Sequence, residues 1–304
     1  MTSKPTVDLR SLATEQRNLA SEMLDTLSPD QIARVINDAD KNVIPAIAHV
    51  LPNIARAIET IARAIADGGR LIYVGAGTSG RIAALDASEI PPTFNLPATT
   101  VQYVMAGGPK ALIAAAEYNE DSRKDGERDI AKKKPGKKDV VCGIAASGRT
   151  PYTVAALEYA RKQGARTIAV VCSPGSPLER AADIAIVAEV GPEVVTGSTR
   201  MKAGTAQKLI LNMLTTGAMA RLGYVFGNLM VNVHLKNEKL VERGIAILQA
   251  AADCDRERAV KALKASGKNV PLALIMLKTG VKKAEAVKRL KTAKGNIRKA
   301  IAQG

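Results

Sequence analysis

Apolar residues in the first quarter of the chain recur at helical spacing. Between Val7 and Ala66 the series Ile32, Val35, Ile36 is followed by Ile44, Ile47, Val50, Ile54, Ile58, Ile61 and Ile65, the rhythm of helices with one buried face. Ser28, ahead of Pro29 and Gln31, supplies a helix start. After Gly68-Gly69 the period changes to short β-rich runs: LIYVG from Leu71, TVQYVM from Thr100, DVVCGIA from Asp139, TIAVVC from Thr167 and DIAIVAEV from Asp183. Between them lie the helical stretches SGRIAALDASE, GPKALIAAAEY and TPYTVAALEYARKQG, and the fifth run is followed by STRMKAGTAQKLILNMLTTGAMARLG. Alternating strands and helices predict an α/β fold, with a doubly wound, mainly parallel five-stranded sheet covered on both faces. Beyond Asn237, short helical runs broken at Asp253-Cys254-Asp255, Gly267 and Gly280 predict a small all-helical appendage. The expected organisation is a helical N-terminal layer over residues 1–60, an α/β domain over 61–236 and a small basic helical domain over 237–304.

Composition narrows the chemistry. At 304 residues and 46% hydrophobic the chain has ample material for a core. No apolar run reaches the roughly 18 to 20 residues of a membrane helix, and the N-terminal MTSKPTVDLRSLATEQ lacks the apolar centre of a signal peptide. A soluble cytoplasmic protein, with no membrane partner, is the expectation. The three cysteines, Cys142, Cys172 and Cys254, are odd in number and widely separated, which suits neither a disulfide framework nor a zinc site. With only His49 and His234 as imidazoles, a histidine metal centre or a Ser-His-Asp triad has little material. The expectation is therefore no metal and no cofactor, with chemistry drawn from carboxylates, hydroxyls, backbone and basic groups.

The formal charge of +15 changes the picture less than its size suggests. Residues 237–304 hold 16 of the 44 Lys/Arg and 6 of the 29 Asp/Glu, a net charge of +10. That segment contains no aromatic residue to stack a base, and its charges fall between apolar positions as on solvated helix faces. Nucleic acid is therefore not an expected partner. The cluster Lys132, Lys133, Lys134, Lys137 and Lys138 around Pro135-Gly136 reads as a basic helix end and loop ahead of a strand.

Three loops carry candidate chemistry. Gly75-Ala76-Gly77-Thr78-Ser79-Gly80 has the form G-x-G-x-x-G between a strand and a helix. A dinucleotide site would need an acid about 20 residues on, at the end of the next strand. The only acids between Gly80 and Glu117 are Asp86 and Glu89, both ahead of that strand. Instead Thr78 and Ser79 within the glycine turn, with the N–H groups of a helix N-terminus, offer donors for a phosphate monoester, although the same turn also serves as a plain strand-to-helix connection. The third β-run ends in Ala145-Ala146-Ser147-Gly148-Arg149-Thr150-Pro151, and a further hydroxyl-rich helix start follows in Gly197-Ser198-Thr199-Arg200-Met201-Lys202. Such loops at the C-terminal ends of strands would cradle a phosphorylated, hydroxyl-rich ligand, with Arg149, Arg200 and Lys202 available to add charge. Among carboxylates, Glu89 is read as ending its helix before Pro91-Pro92, against the helix dipole. Glu120-Asp121-Ser122 places adjacent acids at a helix boundary, where Asp121 and Ser122 read as an N-cap.

The segments GAGTSGRIAALDASEIPPTF, GIAASGRTPY and EVVTGSTRMKAGTAQKLILNML closely resemble those of the N-acetylmuramic acid 6-phosphate etherases, which have the sugar isomerase (SIS) fold. INDADK, RLIYVG and GNLMVNV extend the resemblance through nearly the whole chain, while Tyr118-Asn119 stand where the family usually has Gly-Ala. The resemblance implies a cofactor-free carbon–oxygen lyase of cell-wall amino-sugar recycling. Its substrate would be the sugar phosphate N-acetylmuramic acid 6-phosphate, split to N-acetylglucosamine 6-phosphate and D-lactate by elimination of lactate and re-addition of water. It also implies that Glu89 is the acid that protonates the departing lactate oxygen and Glu120 the base that removes the C2 proton. Gly77, Thr78, Ser79, Ser147 and Thr150 match the sugar-phosphate loops, and Ser198 lies in the third matching segment. Elimination next to an aldehyde needs one base and one acid but no metal. In a helix starting near Thr78, Glu89 lies about 16 Å along the axis at roughly 1.5 Å per residue, more than one sugar phosphate spans. A homodimer with shared active sites, Glu89 serving the neighbouring subunit, is therefore expected. A non-catalytic sugar-phosphate-binding regulator is the alternative, disfavoured by the presence of both glutamates; an aldose–ketose isomerase would share the cradle but has no need of the DASE-x-PP segment.

Overall fold

The computed structural model describes residues 13–114 and 119–303. Five strands, β1 (Leu71–Gly75), β2 (Val101–Met105), β3 (Val140–Ile144), β4 (Arg166–Val171) and β5 (Ile184–Val187), form one sheet in the order β2-β1-β3-β4-β5. Every pair is parallel. β1 and β3 are wholly buried, as expected of strands covered on both sides, whose sequences read as continuous apolar runs. The order reverses at β1, which leaves a crevice between the loops that follow β1 and β3.

The helices are α1 (Pro29–Asp40), α2 (Val43–Ala66), α3 (Gly77–Phe94), α4 (Arg123–Ala131), α5 (Pro151–Lys162), α6 (Pro177–Arg180) and α7 (Lys202–Leu222), followed by α8 (Glu238–Ala252), α9 (Arg256–Ala265), α10 (Val270–Thr279), α11 (Lys283–Thr292) and α12 (Ile297–Ile301). Two compact units emerge: residues Met1–Ala87 with Val101–Leu214, and Ser88–Thr100 with Thr215–Gly304. No described helix is long and apolar enough to cross a membrane.

In the first unit, Ile72, Val74, Val141, Ala169 and Val171 pack against Ile130 of α4, Tyr152 and Leu157 of α5 and Leu178 of α6. Alternate residues point to the other face. There the buried Tyr73 donates its hydroxyl to Asp86 of α3 at 2.9 Å, and Asn212 of α7 donates its amide to the other oxygen of Asp86 at 2.9 Å. Burial, reinforced by the charge of Asp86, pushes the Tyr73 phenol well above its ordinary range, so it stays a donor. Asp86→Ala would orphan two donors and should lower stability by about 3 kcal/mol, read as a shifted urea midpoint with an unchanged slope. Asp86→Asn, which keeps an acceptor for Tyr73, should cost less.

At the N-terminal ends of the strands Asp139, just ahead of β3, receives the Arg70 guanidinium at 2.6 Å and the backbone N–H groups of Arg70 and Gly136. Burial pushes the Asp139 carboxyl up, but these donors outweigh it and hold its pKa below the ordinary 3.8. A depressed carboxylate contributes stability that is complete above its unfolded value and lost as pH falls through the folded one. The melting temperature of the protein should therefore drop below about pH 4, and Asp139→Asn should flatten that part of the profile.

Three segments depart from the sequence pattern. Residues Ala13–Thr26 form short 3₁₀ turns instead of a helix, and from Thr14 to Thr26 only Thr14 and Ser21 are buried; the expected helical residues before them lie outside the described residues. Gly108–Leu112 is likewise a 3₁₀ turn, entered through left-handed Gly107, and residues 115–118 of that stretch lie outside the described residues. The third is α3, which does not stop at Glu89. It runs through Pro91 and Pro92, and Asn95 N–H still donates to Pro91 C=O at 2.9 Å. Prolines remove two donors from the helix, yet Ile90 and Phe94, one turn apart, are both buried and keep it wound.

The second unit packs Ile245 and Leu248 of α8, Ala259 and Leu263 of α9 and Ile297 of α12 around α10, whose residues Val270–Ile275 are all buried. Asn237, Asp255, Asn269 and Asn296 cap the starts of α8, α9, α10 and α12 with side-chain oxygens. All the basic residues from position 237 on are exposed except the half-buried Arg289, as solvated helix faces require.

Candidate active site

At the C-terminal ends of β1 and β3 the first unit opens into a cleft of about 600 Å³. Its walls come from the loop after β1 (Ala76, Gly77, Thr78, Ser79), the loop after β3 (Ala145, Ala146, Ser147, Thr150) and the turn before α7 (Gly197, Ser198, Thr199, Arg200), joined by Glu15, Arg81, Glu120 and Asp121. The structure thus brings together Gly77, Thr78, Ser79, Glu120, Ser147, Thr150 and Ser198, which lie far apart in sequence. Glu89 does not line this cleft; it is exposed on α3, one turn beyond the exposed Leu85.

Local geometry explains the first loop. Gly77 opens α3 with φ +51°, a conformation that favours glycine. The first helical bond is Gly80 N–H to Ala76 C=O at 3.0 Å, so the preceding N–H groups are the donors that a helix start leaves without intrahelical acceptors. Glu120 Oε1 stands 3.0 Å from the point a Cβ on Gly77 would occupy. Any side chain at position 77 would displace the carboxylate. The backbone carbonyl of Glu120 accepts from Tyr152 N–H at 3.0 Å, which ties this residue to the first turn of α5. Ser122 caps α4 by accepting from Asp125 N–H at 3.1 Å, and that duty belongs to Ser122 rather than Asp121.

The hydroxyls differ in their commitments. Ser79 is buried and donates to Gln207 Oε1 of α7 at 2.9 Å, while Gln207 Nε2 is buried without a partner among the described residues. Ser147 accepts from Arg149 N–H at 3.3 Å. Thr150 sits at the start of α5 without capping it, which leaves its hydroxyl for a ligand. The turn before α7 is clamped by the buried Glu193, whose oxygens accept from Lys202 N–H at 3.0 Å and Ala203 N–H at 2.9 Å.

Of the three cations expected at the cleft, only Arg200 lines it. Lys202 is buried and donates Nζ to Pro192 C=O at 2.6 Å; burial pushes its ammonium down, opposed by Glu193 and Asp40. Arg149 turns its Nε into the protein, where it is buried without a partner among the described residues. The sequence reading missed Arg81, which lines the cleft and donates to Leu112 C=O and Ala114 C=O, tethering the chain ahead of Glu120. It also missed Gln207, which lies inside the third matching segment, and Glu15, which carries no local signal. Cys142 and Cys172 are buried, and burial pushes the Cys172 thiol up to about 12 and that of Cys142 higher still, so neither is a nucleophile.

A 2-1-3-4-5 parallel sheet with a cleft at its switch point is common to several α/β folds, and sequence similarity makes this one a SIS-domain protein. The SIS domain family matches residues 124–217, and the glucokinase regulatory protein N-terminal SIS domain matches residues 53–161. The phosphoheptose isomerase of Francisella tularensis, 21% identical, superposes with a TM-score of 0.51 over 63% of this chain and 98% of its own, a likeness of fold. The N-acetylmuramic acid 6-phosphate etherase of Photobacterium profundum is 51% identical over 98% of this chain and 99% of its own, and that of Aeromonas hydrophila is 51% identical over 96% and 98%. The chain belongs to the N-acetylmuramic acid 6-phosphate etherase family.

Proposed function

We propose that this protein cleaves the D-lactyl ether of N-acetylmuramic acid 6-phosphate, giving N-acetylglucosamine 6-phosphate and D-lactate. The observation that carries the reading is Glu120, held against Gly77 in a cleft lined by six hydroxyl residues and a helix start. Nearly full-length identity to etherases supports it. In this reading the α3 N-terminus and the hydroxyls of Thr78, Ser79, Ser147, Thr150 and Ser198 share between them the phosphate and the hydroxyls of the substrate, and the ring-opened sugar presents C2 to Glu120.

The aldehyde at C1 acidifies the C2 proton. Glu120 takes that proton as the C3–oxygen bond breaks, and Glu89 protonates the departing lactate oxygen, leaving an unsaturated aldehyde. Water then adds at C3: Glu89, now ionised, takes its proton, and Glu120 returns one to C2. Both carboxyls end as they began, and the net reaction consumes one water. One carboxyl must start ionised and the other protonated, so the rate should rise and fall along two limbs of pH.

Glu89 acts from the neighbouring subunit of a homodimer. Eleven residues of helix separate it from Thr78 on α3, about 16 Å at roughly 1.5 Å per residue, and it stands exposed beside the exposed Leu85, as expected of a face that meets a second copy. The test is D-lactate release from N-acetylmuramic acid 6-phosphate by the purified protein. Release that Glu89→Gln and Glu120→Gln both abolish is the expected result. Binding of the sugar phosphate without release would favour the ligand-sensing regulator.

A further inference from the structure

The cleft holds a carboxylate that the two-glutamate scheme does not use. Glu15 reaches it from the 3₁₀ turn Ala13–Glu15, and the segment behind it is fastened to the loop before α7. Ser21 donates to Val194 C=O at 2.8 Å, Asn18 to Pro192 C=O at 3.4 Å, and Thr14 is buried. Gly197 has φ +77°, and Glu15 Oε2 stands 3.1 Å from the point a Cβ there would occupy. Glu120 makes the same approach to Gly77. Two carboxylates are therefore each fitted against a left-handed glycine, at two different hydroxyl-bearing loops of one cleft.

Glu15 is half-buried and takes part in no hydrogen bond or ion pair with any described residue. A partly desolvated carboxylate needs donors. A phosphate monoester is an anion and would be repelled, so the complementary groups on a sugar phosphate are its neutral hydroxyls and its acetamido N–H. We propose that Glu15 is a substrate-binding residue that accepts a hydrogen bond from a neutral donor of the bound amino-sugar 6-phosphate, making the N-terminal segment one wall of the active site. The inference rests on the sugar-phosphate reading of the cleft and adds a recognition element for the sugar as distinct from its phosphate.

A hydrogen bond to a charged acceptor corresponds to about ten- to hundredfold in affinity. Calorimetric titration with N-acetylglucosamine 6-phosphate and, separately, with inorganic phosphate should show Glu15→Ala and Glu15→Gln weakening the sugar phosphate by that factor while the affinity for phosphate alone holds. With N-acetylmuramic acid 6-phosphate as substrate, KM should rise more than kcat falls. Parallel loss of both ligands would overturn the proposal, since Glu15 would then only hold the cleft in shape; so would variants that bind and turn over as the wild type does. If the wild type binds the sugar phosphate through Glu15 but releases no lactate, the etherase reading fails and this inference stands. If the wild type binds neither ligand, both fail.

Discussion

Glu120→Gln should lower the rate of D-lactate release by about 10² to 10⁴, equivalent to about 3 to 5 kcal/mol in the barrier, with little change in KM. The substitution replaces one oxygen by an amide nitrogen of the same size, so the contact with Gly77 and the backbone bond to Tyr152 are retained. What is lost is the capacity to take a proton from C2. Substrate affinity should persist because the hydroxyls of the three loops and the N–H groups at the start of α3 do not depend on that charge. A fall in kcat with steady KM marks an interaction used in the transition state only. An equal rise in KM would instead make Glu120 a binding group, and the base would have to be sought elsewhere.

Hybrid dimers should recover activity that neither parent has. When inactive Glu89→Ala and Glu120→Ala proteins exchange subunits at random, about half of the dimers are mixed, and each mixed dimer holds one site with both glutamates intact. Shared sites therefore predict recovery to about a quarter of wild-type activity. Exchange is verified independently, by differently tagged subunits purified together. No recovery after verified exchange would place both glutamates of a working site in one chain. The exposure of Glu89 and Leu85 on α3 is the structural reason to expect recovery.

Much of the fold was legible because the signals are local and periodic. The buried runs from Leu71, Val140 and Thr167 could be read as strands from their β-branched content and their punctuation by glycine and lysine loops. Ser28 with Pro29 and Gln31 became a capping box, Ser28 Oγ accepting from Gln31 N–H and the Gln31 side chain accepting from Ser28 N–H. The extent of α3 was not legible. A double proline argues for a helix end, and only the burial of Ile90 and Phe94 overrides it. From Gly108 to Leu112 the chain has helix-forming residues, yet Ala111 alone is buried among them and Ile113 is 95% exposed, so those residues have no packed face to hold an α-helix.

The candidate site divides in the same way. Thr78, Ser79, Ser147, Thr150 and Ser198 could be picked out because hydroxyls beside glycines at strand ends form a local pattern. The charges could not be sorted: Arg149, Arg200 and Lys202 look alike in sequence, but Lys202 is 2% exposed with its ammonium on Pro192 C=O, and only Arg200 reaches the cleft. Nor could Glu15, more than a hundred residues from the other acids of the cleft, be placed beside Gly197. The sequence by itself determined the alternation of strands and helices, the hydroxyl loops and the family, since each rests on neighbours a few residues apart or on long matching segments. Tertiary structure alone decided which polar side chains face the cleft and which are consumed inside. That choice depends on packing between distant segments, and burial makes each unpaired polar group too costly to leave where local sequence happens to put it.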